Sequence, residues 1–290
     1  MEQFVLPMSL RVSAFLLSKL GLALPGVTAR LFLSMYSRPP KRKLRESQLA
    51  VGRLAASTQM TFSRYPFDER AITVQIYRWG QSDKKVLLLH GWGGSPFDFK
   101  QMITTLVNAG YEVISWDAPA HGASAGKETN IVQWMHTLEQ LLARIGPVHA
   151  IIGHSLGGLS AALALVHKKL QVPRLVMISA AVSAPEFFQQ TFQQFGIPNK
   201  VMPKVHQLVV KRLQFDLLQL DLFKHIDKIN AKNILVIYDE NDGVVKKEQI
   251  VNFLNQSTAI QSFCIKGEGH YRIMRNDEVL KKVVNFMNID

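Results

Sequence analysis

Cysteine is nearly absent from this chain. Cys264 is the only one in 290 residues, so no internal disulfide can form and nothing points to an oxidising compartment. It lies in the strand-like run from Ile260 to Ile265 and reads as a small packed hydrophobe, not a reactive thiol. Long uninterrupted apolar runs are also missing. The first 24 residues are largely apolar, yet Arg11 and Lys19 leave only seven uncharged residues between them, where a membrane span needs about 20. A secretory leader would open on positive charge, and Met1-Glu2-Gln3 opens on an acid. On a helical wheel, Arg11, Ser18 and Lys19 share a sector into which Phe15 and Leu22 intrude. That leaves two readings, a helix lying in a membrane interface or one packed on the protein's own surface. Repeats and low-complexity tracts are absent. With 47% apolar and 19% charged residues the composition excludes disordered and fibrous classes and suits one large core.

The formal charge of +12 is unevenly placed. Residues 1–64 hold ten Lys and Arg against two Glu, so the remaining 226 residues carry only +4. The basic character centres on Arg38-Pro39-Pro40-Lys41-Arg42-Lys43-Leu44-Arg45, a run with no interleaved aromatic residue and no nucleic-acid motif around it. It reads as a solvated or phospholipid-facing stretch, and nucleic acid is not an expected partner.

Beyond a short helical stretch near 44–56, two segments at 61–65 and 72–77 alternate with period two, as a half-exposed antiparallel pair would. Later strands are continuously apolar, at 86–89, 113–116, 150–152, 175–178 and 234–237, which suits strands buried on both faces of a parallel sheet. Helical intervals at 97–109, 129–145 and 157–169 separate them, the rhythm of a doubly wound α/β sheet. Residues 180–232 break that rhythm with 53 residues rich in phenylalanine. They are expected to form a small helical lid whose aromatics pack mainly for structure, with a final helix near 219–228.

Chemistry concentrates in a few places. Gly153-His154-Ser155-Leu156-Gly157 follows a strand and precedes a helix. In such a sharp turn small flanking residues let the backbone close and expose the serine hydroxyl at a helix N-terminus. Serine needs a base with a pKa near neutrality, hence a histidine. Of nine histidines, His270 stands out within Gly267-Glu268-Gly269-His270-Tyr271, after the last strand. His154 should point away from Ser155, and His90 and His121 suit loop bracing. Asp242, late in the loop after the strand at 234–238 and followed by Gly243-Val244-Val245, is the carboxylate chosen to orient the base; Asp239 and Glu240 remain alternatives. The backbone N–H groups of Leu156 and of Trp92, in the glycine-rich His90-Gly91-Trp92-Gly93-Gly94, are the expected oxyanion donors.

Together, the His90–Gly94 loop, the loop from Asp117 to Ser124, the Ser155 elbow, the Asp242 loop and Gly269-His270 resemble the landmarks of the α/β-hydrolase superfamily over residues 60–290, in particular bacterial esterase and lysophospholipase-like members. Lys246 departs from the proline common after the acid loop. The resemblance implies an α/β-hydrolase fold, a doubly wound, mostly parallel eight-stranded sheet with a small helical lid. It also implies a serine hydrolase with the order Ser155, Asp242, His270. Family branches with an aspartate nucleophile are excluded by Ser155. The expected organisation is a basic helical extension over 1–59 and a hydrolase domain over 60–290, with the lid at about 180–232. The expected reaction is ester cleavage through an acyl-enzyme on Ser155, without metal or organic cofactor, on a small-molecule ester with an apolar acyl group. A thioesterase, an amidase, or a non-catalytic membrane-associated interaction protein on the same scaffold are the alternatives. The expected location is cytoplasmic, with peripheral membrane contact through the N-terminal extension at the inner face.

Overall fold

The computed structural model describes residues 8–65 and 68–288, apart from the side chains of 8–11 and 69. Eight strands form one sheet: β1 (Ala56–Tyr65), β2 (Asp68–Trp79), β3 (Lys85–Leu89), β4 (Glu112–Trp116), β5 (Ala150–His154), β6 (Val172–Ile178), β7 (Ala231–Asp239) and β8 (Ile260–Ile265). Their order is β1-β2-β4-β3-β5-β6-β7-β8. The pairs β1/β2 and β2/β4 are antiparallel and every other pair is parallel. The expected eight-stranded, mostly parallel sheet is therefore present. Its texture explains the arrangement. Leu87, Leu88, Ile151, Ile152, Leu175, Val176 and Leu235 have no exposed surface, because helices cover both faces of the parallel portion.

The helices are α1 (Met8–Ala23), α2 (Pro25–Tyr36), α3 (Glu46–Arg53), α4 (Lys100–Asn108), α5 (Ile131–Ile145), α6 (Leu156–His167), α7 (Ala184–Gln194), α8 (Met202–Leu213), α9 (Lys247–Leu254), α10 (Gly269–Arg272) and α11 (Asp277–Met287). Asn130 caps α5 by accepting from the Gln133 N–H at 3.0 Å, and Gly146 ends it with φ +78°. The final helix expected near 219–228 does not form. Three short 3₁₀ turns stand there, at Leu217–Leu220, Leu222–Lys224 and Ile226–Lys228. The reason is local: the Asp216 carboxylate accepts from the Leu218 N–H (2.8 Å) and the Asp221 carboxylate from the Phe223 N–H (3.2 Å). Each aspartate restarts the chain as a cap instead of letting one helix run through.

By compactness the chain divides into two units, one made of Met1–Arg38 with Val182–Lys224, the other of Pro39–Ala181 with His225–Asp290. The first is helical. Phe32, fully buried on α2, meets Phe192 of α7 edge-on at 4.7 Å and Phe195 at 6.4 Å, while Tyr36 lies 4.7 Å from Phe188. Gly21 of α1 faces Pro198 so closely that a Cβ there would sit 2.8 Å from the proline ring. The phenylalanines at 188–195 thus form an aromatic core with the N-terminal helices.

The second unit holds the sheet and also the basic run from Pro39 onward. Within it Arg42 is not free in solvent: it pairs with Asp98 at 2.5 Å, a carboxylate that also accepts from Gln48 (2.8 Å). Lys41, Lys43 and Arg45 are exposed. Helix α3 is tied down by the Trp79 indole N–H, which donates to the Val51 carbonyl at 2.9 Å.

Candidate active site

All the chemistry expected from the sequence falls within the sheet-bearing unit. Ser155 sits between β5 and α6 with φ +52° and ψ −122°, a conformation that an L-residue adopts only when its surroundings enforce it. The enforcement is steric. A Cβ at Gly153 would stand 2.4 Å from the Gly158 nitrogen, and one at Gly157 would stand 2.2 Å from the Leu89 carbonyl oxygen. Any larger residue at either position would push the turn open. The Ser155 N–H is anchored on the Ile178 carbonyl at 3.0 Å, which fixes the elbow to β6.

His270 comes from α10, beyond β8, and Asp242 from the loop after β7. The structure brings the three together. Ser155 Oγ lies 3.0 Å from His270 Nε2, and His270 Nδ1 lies 2.9 Å and 3.1 Å from the two Asp242 oxygens. Asp242 Oδ1 also accepts from the N–H groups of Val244 (2.8 Å) and Val245 (2.9 Å). Burial works to raise the Asp242 pKa, but the hydrogen bond from His270, its charge and the two backbone donors outweigh it and hold the carboxyl below its usual range. Asp242 is therefore an anion that stabilises a proton on Nδ1, leaving Nε2 free to accept from the serine hydroxyl.

The two other acids of that loop are engaged elsewhere. Asp239, fully buried, accepts from the Asn241 N–H (2.6 Å) and the Glu268 N–H (2.7 Å), so it ties the Asp242 loop to the His270 loop. Glu240 pairs with Lys247 at 2.6 Å.

Leu156 is the first residue of α6, where backbone N–H groups lie outside the helix's own ladder. The glycine-rich loop passes against the serine: a Cβ at Gly91, one residue before Trp92, would be 3.0 Å from Ser155 Cβ. Two histidines hold this loop in place reciprocally. His90 Nε2 accepts from the Ala118 N–H at 3.0 Å, and His121 Nε2 accepts from the Gly93 N–H at 2.9 Å. Because a backbone N–H can only donate, each ring carries its proton on Nδ1, which donates to the Gly91 carbonyl (2.7 Å) or the Pro119 carbonyl (3.0 Å). Trp134 packs edge-on against both rings. The loop-bracing role read for these histidines is what the geometry displays.

The bond made by His154 was not legible in the sequence. His154 points away from the Ser155 hydroxyl, as strand alternation requires, but its Nε2–H donates to the His270 backbone carbonyl at 2.8 Å. The elbow thereby grips the backbone of His270, whose ring faces Ser155. Only the adjacency of His154 to Ser155 in sequence hinted at this. Tyr271, largely exposed, stands edge-on to the His270 ring at 4.9 Å. Among the described residues, no group of three or more His, Cys, Asp or Glu is placed to hold a metal ion.

The buried rings make a pH prediction. Desolvation pushes His90 down to about 4 and His121 and His154 to about 3, all from an ordinary value near 6.5. A base whose folded pKa is depressed adds nothing above the unfolded value. Below it the unfolded chain takes up protons that the folded chain refuses. Stability is thus full above about pH 6.5 and falls steadily toward pH 4, by up to about 2 kcal/mol per ring at pH 5. Burial raises the Asp117 carboxyl and works in the opposite sense, but it also lowers His136 and His149, which add to the loss. Urea denaturation at pH 7 and pH 5 should show a clear loss at the lower pH; equal midpoints would mean that these rings are not held neutral.

A family model described as serine aminopeptidase, S33, matches residues 80–273. A pyrethroid hydrolase of Sphingobium wenxiniae is 28% identical over 127 residues, 43% of this chain and 45% of that protein. An esterase of Mycobacterium tuberculosis is 31% identical over 119 residues, 40% of this chain and 39% of that protein. The matched stretches span less than half the length of these curated relatives. Among solved structures, the esterase Pf2001 of Pyrococcus furiosus superposes with a TM-score of 0.65 at 18% identity, covering 86% of this chain and 98% of that one, a likeness of fold.

Proposed function

This chain belongs to the serine aminopeptidase S33 family of the α/β-hydrolase superfamily, and from that premise we propose that it is a serine hydrolase cleaving carboxylic esters through an acyl-enzyme on Ser155. The observation that carries the reading is the unbroken hydrogen-bond chain from Ser155 Oγ through His270 to Asp242. Ser155 attacks the ester carbonyl while His270 Nε2 takes its proton, and Asp242 steadies the imidazolium that forms. The N–H groups of Leu156 and Trp92 receive the developing oxyanion, and each such donor is worth about 3–4 kcal/mol of barrier. His270 then returns the proton to the departing alkoxide. Water, activated by the same histidine, releases the acyl group and restores the serine.

The substrate we propose is an ester with an apolar acyl group. The esterase of Mycobacterium tuberculosis supports ester chemistry and the pyrethroid hydrolase supports hydrolysis, and the same machinery serves thioesters and amides. The test is incubation of the native protein with a fluorophosphonate, followed by mass mapping. An adduct on Ser155 alone is the expected result, and turnover of p-nitrophenyl esters over matched thioesters and aminoacyl amides would fix the bond type. A well-folded protein that stays unlabelled would remove the reading.

A further inference from the structure

The outward faces of the two N-terminal helices contradict ordinary surface chemistry. Along α1, Ala14, Leu17 and Gly21 are buried, and the opposite face presents Val12, Phe15, Leu16 and Leu22. Phe15 is 62% exposed and Leu16 60%. These positions follow helical spacing, so one side of the helix is apolar to the core and the other apolar to the outside, a pattern expected where the outside is not water. Helix α2 repeats it: Ala29, Phe32 and Leu33 are buried while Val27 and Leu31 stand out. Single exposed apolar residues need no explanation, but such a concentration within twenty residues does.

The charges say what could cover this surface. Between residues 8 and 38 the ionisable groups are Arg11, Lys19, Arg30, Tyr36 and Arg38, with no carboxylate among them. Lys19 and Arg30 lie on the exposed side of their helices, and Lys19 sits 5.7 Å over the Phe15 ring. The unit of Met1–Arg38 and Val182–Lys224 carries nine Lys and Arg against four Asp and Glu. Apolar side chains interleaved with cations and free of acids match one partner, the surface of an anionic bilayer. There the rings and branched chains enter the acyl boundary while ammonium and guanidinium groups stay at the phosphates. Penetration stops at the interface: among the described residues no helix is long and apolar enough to cross a membrane.

We propose that the exposed faces of α1 and α2 dock this protein on anionic phospholipid bilayers. The proposal does not depend on the chemistry of Ser155. It sharpens the sector drawn from the sequence, since Phe15 and Leu22, which seemed to interrupt a polar face there, belong to the face that binds.

The test is co-sedimentation of the full chain with vesicles of phosphatidylcholine alone or mixed with phosphatidylserine. Truncation is unsuitable because α2 carries Phe32 into the aromatic core, so the comparison uses point variants on exposed positions. Wild type should pellet with the anionic vesicles and far less with the neutral ones. Phe15→Glu with Leu16→Glu should lower partitioning by at least about tenfold, with the melting temperature unchanged. The pair Val27→Gln and Leu31→Gln gives an independent check on the second helix. Lys19→Gln with Arg30→Gln should remove most of the preference for phosphatidylserine. Equal pelleting of wild type and the glutamate variant would overturn the proposal, as would no pelleting at all. Light scattering supplies a further contrary outcome: a wild-type oligomer that the glutamate variant turns into a monomer would mean that a second copy covers this face.

Discussion

Ser155→Ala should lower kcat by about 10⁶-fold on any ester the wild type hydrolyses, leaving a residue of activity due to binding and oxyanion stabilisation alone. The size of the loss follows from the geometry. Ser155 Oγ and His270 Nε2 are already within hydrogen-bond reach at 3.0 Å, so on the proposed mechanism the attack is prepared and the variant has nothing in its place. Folding should be spared, since the hydroxyl makes no hydrogen bond that holds the elbow. That bond comes from the Ser155 N–H to Ile178, which alanine keeps. The residual activity and the thermal melt must be read together. A variant that melts like wild type yet hydrolyses within tenfold of it would show that another group is the nucleophile.

Asp242→Asn is the second large effect, a loss of about 10⁴-fold in kcat at neutral pH with KM little changed. In the native site the carboxylate accepts from His270 Nδ1 while also accepting from Val244 and Val245. An asparagine can keep the two backbone donors on its carbonyl oxygen, which turns its amide N–H groups toward the histidine. The ring must then present an unprotonated Nδ1, and its proton moves to Nε2, where it faces Ser155 Oγ and blocks the proton transfer. The shape of the site survives and its polarity is reversed. Wild-type activity in this variant would mean that Asp242 does not set the tautomer, and Asp239, although fully engaged with the His270 loop, would be the next carboxylate to replace.

Much of this was legible in the sequence, for identifiable reasons. Buried parallel strands announce themselves because burial on both faces demands continuous apolar runs, and all eight strands were readable. The elbow was legible because its steric demand for small residues leaves a trace in Gly153 and Gly157. Asp242 could be preferred over its neighbours on its position before Gly243, but only the fold shows Asp239 occupied in bracing. What the sequence could not reveal were contacts between distant segments. The reciprocal bonding of His90 and His121 and the grip of His154 on the His270 carbonyl depend on loops meeting across the sheet. The helix expected near 219–228 failed because apolar spacing was weighed without the capping power of Asp216 and Asp221. The N-terminal wheel left two readings open, and on the bilayer-docking proposal the face that carries both Phe15 and Lys19 belongs to the interfacial one.

The helical unit, stitched from the first 38 residues and a segment that ends at Lys224, sets a schedule for synthesis. Phe32 emerges from the ribosome long before Phe192 and Phe195 exist, and at about 5–20 residues per second the partners arrive about 8 to 33 seconds later. Throughout that interval a nascent hairpin of apolar helices has no native core to enter, while much of the sheet is being completed behind it.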